Sequence, residues 1–151
     1  MARILVVDDE PVIRELIATV LTLEAEHDVT QASNGTEALE IIDADLDRLP
    51  DLVLLDLMMP EMDGWHFLET LYRRGLRKRT RVIVITGENE ARQPAGTGSD
   101  ALVLFKPFDV DALVASVNDA LTRAPDEEHE RKQRTVTLAK LISDVERTLS
   151  R

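Results

Sequence analysis

Residues 51–64 read DLVLLDLMMPEMDG. The run Leu52-Val53-Leu54-Leu55 has no polar alternation, the pattern of a strand covered on both faces. It ends on Asp56. A carboxylate at the exit of such a strand has no packing role, and in an open parallel sheet the carboxyl ends of the strands are where ligands bind. Two further stretches repeat the arrangement: Ile4-Leu5-Val6-Val7 leads into Asp8-Asp9, and Ala101-Leu102-Val103-Leu104-Phe105 leads into Lys106. Three acids and a lysine at strand exits are the parts of a small site that binds a cation and accepts a phosphoryl group.

Around these stretches apolar runs alternate with amphipathic ones. Strands are predicted at 3–7, 28–32, 51–55, 81–85 and 101–105, and helices at 11–24, 35–47, 64–74 and 109–123. Alternation of this kind predicts a doubly wound α/β domain over 1–123, with right-handed crossovers. Pro11 suits a first helical turn. Asn34-Gly35 signals a turn, with Thr36 as the expected cap of the second helix. Asp63-Gly64 signals another turn, and Asp109 is placed to cap the last helix. One stretch breaks the pattern: Pro94, Gly96 and Gly98 fall where a helix is due, and almost nothing apolar accompanies them. A short or mobile segment is expected over 88–98.

Residues 124–151 form a second unit, a helical extension. After Ala124-Pro125-Asp126, the residues Leu138, Leu141, Ile142, Val145 and Leu149 recur at three- and four-residue steps, a narrow apolar seam on an amphipathic helix. Such a seam fits a homodimer through the extension, folding back onto the body, or a lead into a further domain.

Composition excludes several chemistries. There is no cysteine among the 151 residues, hence no disulfide and no thiolate ligand or nucleophile. The net charge is −11; residues 1–123 carry 23 acids and 12 bases, and 124–151 carry 6 of each. An acidic body repels nucleic acid and favours cations or basic partners. The basic residues Arg73, Arg74, Arg77, Lys78, Arg79 and Arg81 lack interleaved aromatics and read as a solvated turn. No apolar run reaches membrane-spanning length, and Met1-Ala2-Arg3 leads straight into a strand without a signal peptide. A cytoplasmic location is expected. Trp65 and Tyr72 read as packing or rim residues, and His27, His66 and His129 show no spacing for a metal site.

The chemistry of the strand exits is specific. Adjacent carboxylates raise one another's pKa or recruit a cation. A donor set of oxygens alone selects a hard ion, and Mg2+ in particular binds one or two carboxylates together with a phosphate. Asp8-Asp9 as a mere helix cap is the competing reading. Asp56 is the candidate nucleophile toward phosphorus, Lys106 a cation for the phosphoryl oxygens, and Thr86, after Val82-Ile83-Val84-Ile85, a hydroxyl for one of them.

Taken together, ILVVDDE at 4–10, DLVLLDLMMPEMDG at 51–64, VIVITG at 82–87 and FKPF at 105–108 resemble the receiver domain of two-component response regulators, over about residues 3–122. The resemblance implies a flavodoxin-like five-stranded parallel sheet in order 2-1-3-4-5. It implies Asp56 as phosphoacceptor, served by a sensor histidine kinase, with Asp8, Asp9, Asp56 and the backbone carbonyl of Met58 around Mg2+. Thr86 and Lys106 become the switch residues, Lys106-Pro107 a cis peptide, and Met58 and Glu88 the side chains that tune phosphoryl lifetime. An apolar Met58 predicts slow autodephosphorylation. The chain departs from the family at Val103, where an aromatic ring usually stands. Its absence predicts output through the C-terminal helix or through a segment that orders on phosphorylation.

The resulting expectation is a signalling switch that is no enzyme beyond catalysing its own phosphorylation and dephosphorylation. A phosphorelay intermediate that hands the group to a histidine phosphotransfer protein is the alternative, as is the receiver part of a longer regulator. A DNA-binding regulator would need an output domain of roughly 60–100 residues with a basic recognition helix, for which the neutral tail is too short. A hydrolase of similar sheet would want a general acid two residues after Asp56, where Met58 stands.

Overall fold

The computed structural model describes residues 1–57, 59, 64–87, 102–122 and 145–149. In chain order the elements are β1 (Arg3–Val7), α1 (Pro11–Leu23), β2 (Asp28–Ala32), α2 (Gly35–Ala44), β3 (Leu52–Asp56), α3 (Gly64–Arg73), a 3-10 turn (Leu76–Lys78), β4 (Arg81–Gly87), β5 (Leu102–Lys106) and α4 (Val110–Thr122). The five strands are all parallel and form one sheet in order β2-β1-β3-β4-β5. This is the flavodoxin-like order.

The uninterrupted apolar strands follow from having two covered faces. Alternate residues go to opposite sides. Leu5, Val7, Val53, Leu55, Val82 and Val84 pack against Ala38 and Ile42 of α2 and Phe67, Leu68 and Leu71 of α3. Ile4, Val6, Leu52, Leu54, Ile83, Ile85 and Leu104 pack against Ile17, Val20 and Leu21 of α1 and Leu113, Val117 and Ala120 of α4. A fully buried side chain of this kind contributes about 1.5–3 kcal/mol. The edge strand β2, DVTQA, buries only Ala32 completely, and its polar content matches its place at the rim.

Local chemistry sets the element ends, and three expectations need correction. The cap of α2 is Asn34, not Thr36. Asn34 is extended (φ −160°, ψ 174°), its carbonyl already accepts Ala38 N–H, and its side chain accepts Glu37 N–H at 2.8 Å. Glu37 reaches back to Ser33 N–H and Oγ, a reciprocal capping arrangement. That helix stops at Ala44 rather than 47, because Asp45 leaves the helical region (φ −152°, ψ 77°). Finally, Arg77 does not belong to a solvated turn: it is 6% exposed and donates to Thr80 O, while Thr80 Oγ1 donates to Pro50 O, so the α3–β4 connection is tied to the segment entering β3. Pro11 opens α1, and Asp109 caps α4 by accepting Ala112 N–H at 2.7 Å, both as expected.

The extension enters the described residues only at 145–149, which are helical, with Val145 half-buried and Leu149 78% exposed. Leu138, Leu141 and Ile142, like the 88–98 segment, lie outside the described residues. Among those described, no helix is long and apolar enough to cross a membrane.

One titratable group ties the N-terminus to the body. His27 Nδ1 accepts Ala2 N–H at 3.1 Å, and Nε2 is buried without a hydrogen-bond partner among the described residues. Burial, together with the nearby N-terminal amine, pushes the His27 pKa below its ordinary value. The fold therefore favours the neutral ring, and the unfolded chain takes up the proton first. Stability is expected to fall as pH drops through the ordinary histidine range and to level off below the folded-state pKa. Urea denaturation from pH 8 to pH 5 checks this, and His27→Gln removes that part of the slope.

Candidate functional site

Parallel pairing carries the acidic residues to one edge. β1 lies against β3 with Val7 opposite Leu55, so Asp8 and Asp56 each follow one half of that pair. β3 lies against β4 with Asp56 opposite Ile85, and β4 against β5 with Thr86 opposite Phe105 and Gly87 opposite Lys106. Four strand exits thus gather at the carboxyl edge of the sheet.

The acids meet there. One carboxylate oxygen from each of Asp8, Asp9 and Asp56 lies within 4.8 Å of the others. Asp8 and Asp56 are 1% and 2% exposed, and Asp9 is half-buried. The Lys106 amine faces them, with Nζ 3.4 Å from Asp56 Oδ2 and 3.9 Å from Asp8 Oδ2. Thr86 is fully buried near the end of β4, one residue beyond the register partner of Asp56, and its hydroxyl lies 3.4 Å from Gly87 O. The Lys106-Pro107 peptide is cis.

Electrostatics at the cluster are unbalanced. Burial pushes the Asp8 carboxyl above its ordinary pKa, and Asp9 and Glu10 add to that; the Glu10 N–H and the Lys106 amine only partly oppose it. For Lys106, burial alone would lower the pKa, but the Asp56 and Asp8 carboxylates outweigh it and hold the amine above its ordinary value. Three acids face one amine. Asp8 Oδ1 accepts Glu10 N–H at 2.9 Å, while Asp8 Oδ2 is buried with no hydrogen-bond partner among the described residues. An orphaned buried carboxylate oxygen within an all-oxygen donor set fits a hard divalent cation. The helix-cap reading of Asp8-Asp9 does not account for this geometry: Glu10 holds the N-cap of α1 with no cap bond from its own side chain, and although Asp8 Oδ1 accepts Glu10 N–H, Asp8 Oδ2 is left over.

Two contributors escape a sequence reading. Gly64 opens α3, and its N–H donates to Leu57 O at 2.9 Å. A Cβ there would sit 2.5 Å from Asp56 O and 2.6 Å from Leu57 Cα, so only glycine lets α3 lie against the backbone that carries Asp56. The turn signal at Asp63-Gly64 marks the residue but not this approach. Arg14 donates to the Asp8 carbonyl from α1. The Met58 carbonyl and the Met58 and Glu88 side chains lie outside the described residues. His66 stands on α3, and Trp65 is partly buried against the core, as a packing residue should be.

A doubly wound sheet in this order, with acids and a lysine at its carboxyl edge, defines a flavodoxin-like domain whose ligand site lies beyond the ends of the paired strands β1 and β3, where the winding of the sheet reverses. Comparison with known proteins makes the class definite. The response regulator receiver domain family matches residues 4–118, and the chain belongs to that family, the receivers of two-component systems. It is 37% identical over 123 residues to the response regulator Rre1 of Synechocystis sp., across 80% of this chain and 52% of that protein. It is 36% identical over 121 residues to sporulation initiation phosphotransferase F of Bacillus subtilis, across 79% of this chain and 93% of that one. Among solved structures, the response regulator TrrA of Thermotoga maritima in complex with Mg2+ and BeF superposes with a TM-score of 0.66 at 33% identity, over 80% of this chain and all of that one. The chain spans about half the length of several curated relatives that it matches.

Two outcomes follow. A carboxyl held above its ordinary pKa costs stability at neutral pH, and the cost is relieved as pH falls through the raised value. Asp8→Asn is therefore expected to raise the melting temperature of the metal-free protein at pH 7, with a gap to the parent that narrows on acidification. Scanning calorimetry with and without Mg2+ checks it, since Mg2+ should stabilise the parent and not the variant. Gly64→Ala forces Cβ into backbone and is expected to destabilise by about 1–3 kcal/mol in urea denaturation.

Proposed function

We propose that this receiver is a phosphorylation-dependent switch that accepts a phosphoryl group on Asp56 from the phosphohistidine of a sensor kinase, with Mg2+ as cofactor. The observation that carries this reading is the buried Asp56 carboxylate held 3.4 Å from Lys106 Nζ beside two further acids. Mg2+, when bound, supplies positive charge to the phosphoryl oxygens. Asp8, Asp9 and Asp56 are the side chains that would hold it, with the Met58 carbonyl as a further donor by family resemblance.

The rest is done by the chain's own groups. An Asp56 oxygen forms the new bond to phosphorus as the donor's phosphorus–nitrogen bond breaks, and the imidazole leaves with its electron pair. Lys106, fully protonated at neutral pH, offsets charge on the phosphoryl oxygens as they turn. The Thr86 hydroxyl is the donor for one of those oxygens once the group is in place. The only reactions that this protein catalyses are its own phosphorylation and dephosphorylation. By family resemblance Met58 and Glu88 match the sequence positions that tune phosphoryl lifetime, and an apolar methionine has no group with which to orient an attacking water.

Two partners follow: the kinase, and a second copy of this chain through the seam Leu138, Leu141, Ile142, Val145 and Leu149. The acidic body opposes nucleic acid as a partner. A second reading is a relay intermediate that passes its group on to a histidine phosphotransfer protein. The likeness to sporulation initiation phosphotransferase F along 93% of that protein favours it. The half-length match to other regulators favours a receiver within a longer chain.

Incubation with acetyl phosphate and Mg2+, followed by intact-mass and peptide mass spectrometry, tests the proposal. One phosphoryl group on Asp56 is expected, absent in Asp56→Asn and formed about a hundredfold more slowly in Lys106→Met. The group should persist for minutes or longer. Modification elsewhere, or none, overturns the assignment, and loss within seconds overturns the role given to Met58.

A further inference from the structure

The acid pair at the end of β1 is held by a group from outside that strand. Every polar atom of Asp8 except one is tied. Its N–H donates to Ala32 O at 3.1 Å, carrying the β1–β2 pairing one residue past the strand. Its Oδ1 accepts Glu10 N–H at 2.9 Å. Its carbonyl accepts from Arg14 Nη1 at 2.8 Å, and Arg14 Nε donates to Gln31 Oε1 on β2 at 3.2 Å. Only Oδ2 is left over, buried and 3.9 Å from Lys106 Nζ. Asp8 and the peptide leading to Asp9 are thus clamped from β2, from Glu10 and from α1.

We propose that Arg14 is a positioning residue for this acid pair: by holding the Asp8 carbonyl against β2, it fixes the direction of Asp8 Oδ2 and so sets the affinity of the site for a divalent cation. The inference rests on the reading of Asp8, Asp9 and Asp56 as the cation site.

Two features make the action geometric rather than electrostatic. Both acceptors of Arg14 are neutral, a backbone carbonyl and an amide side chain. Both are reached by one planar fork, which a lysine ammonium on a flexible stem does not reproduce. A metal site depends on such outer supports because a ligand displaced by a fraction of an ångström forfeits much of its bond. Gln31 shares the task from the exposed rim of β2, and among the described residues its side chain is hydrogen-bonded to Arg14 and not to Asp8, Asp9 or Asp56.

Calorimetric titration of the full chain with Mg2+ alone, at fixed pH and ionic strength, tests this. The dissociation constant is expected to rise about tenfold in Arg14→Met and by a similar factor in Arg14→Lys, which keeps the charge and loses the fork. Gln31→Ala, which leaves Arg14 and every acid in place, should raise it about threefold. In the metal-free protein, amide exchange at Asp9 and Glu10 should quicken in all three variants, while the β3–β4 ladder stays protected. Parental affinity in a folded Arg14→Met overturns the proposal, and so does full rescue by Arg14→Lys, which would make the effect one of charge. If the Arg14 variants do not fold, parental affinity and exchange in Gln31→Ala overturn it. A parent chain that takes up no Mg2+ removes the cation site itself and the proposal with it. A parent that binds, alongside an Asp8→Asn variant that does not, leaves that reading standing whatever Arg14 does.

Discussion

The burial of acidic side chains in one cluster, with one oxygen from each of three carboxylates within 4.8 Å of the others, is the constraint around which the rest of this domain is arranged. Like charges at such range, two of them almost wholly buried, raise the free energy of the folded chain unless a cation offsets them. Lys106 supplies one positive charge from the far side and is itself held protonated by the acids it faces. One amine against three acids leaves a surplus of negative charge, and that surplus makes the site attractive to a divalent ion. Neutralising it entirely with protein groups would stabilise the fold and abolish the binding. The chain keeps a local instability in exchange for a site, a common relation between stability and function.

Holding such a cluster needs rigid supports, and they come from the sheet. β1 and β3 are adjacent and buried on both faces, so the acids at their ends ride on the least deformable part of the molecule. Lys106 arrives on β5, two strands away from β3, with Gly87 as its register partner on β4. The close approach of α3 at Gly64 presses the next element directly onto the backbone of Asp56. Arg77 and Thr80 do the equivalent at the opposite end of the sheet, anchoring the start of β4 to Pro50. Site and anchor lie at the two ends of the same central strands, so the packed layer between them fixes the span of the site.

How much of this was written in the sequence depends on how local each feature is. The apolar runs 4–7, 52–55 and 82–85 announce buried strands because a parallel strand with two covered faces tolerates no polar alternation. The acids and the lysine were legible for the complementary reason: a charge directly after such a run has no packing explanation. The Asn34 cap was missed because Asn34, Gly35 and Thr36 all favour a helix start, and only the extended backbone at Asn34 with the reach of Glu37 to Ser33 decides among them. Burial of Arg77 was invisible amid basic neighbours, since its partner Thr80 becomes an acceptor only when the 3-10 turn closes. Gly64 and Arg14 belong to a third kind. Their roles depend on which elements lie beside them in space, and no periodicity along the chain carries that.

The edge of the sheet carries a further consequence. Thr86 and Lys106 are not independent: Thr86 pairs with Phe105 and Gly87 with Lys106, so a displacement of the β4 end is passed to the β5 end through the ladder itself. In this chain Val103 stands where an aromatic ring stands in many receivers, and a half-buried valine has neither the reach nor the polar tip of such a ring. Position 103 therefore offers Thr86 no ring to swing, and among the described residues the paired backbone of β5 is what the end of β4 lies against. Phe105, exposed on that strand, and Val110, exposed at the start of α4, lie on either side of Lys106. A shift of Lys106 would bear on both, since Phe105 is its neighbour in the chain and only three residues separate Lys106 from the helix. From the end of β5 to the start of α4, Lys106 and the exposed Phe105 and Val110 are thus joined by one short piece of main chain.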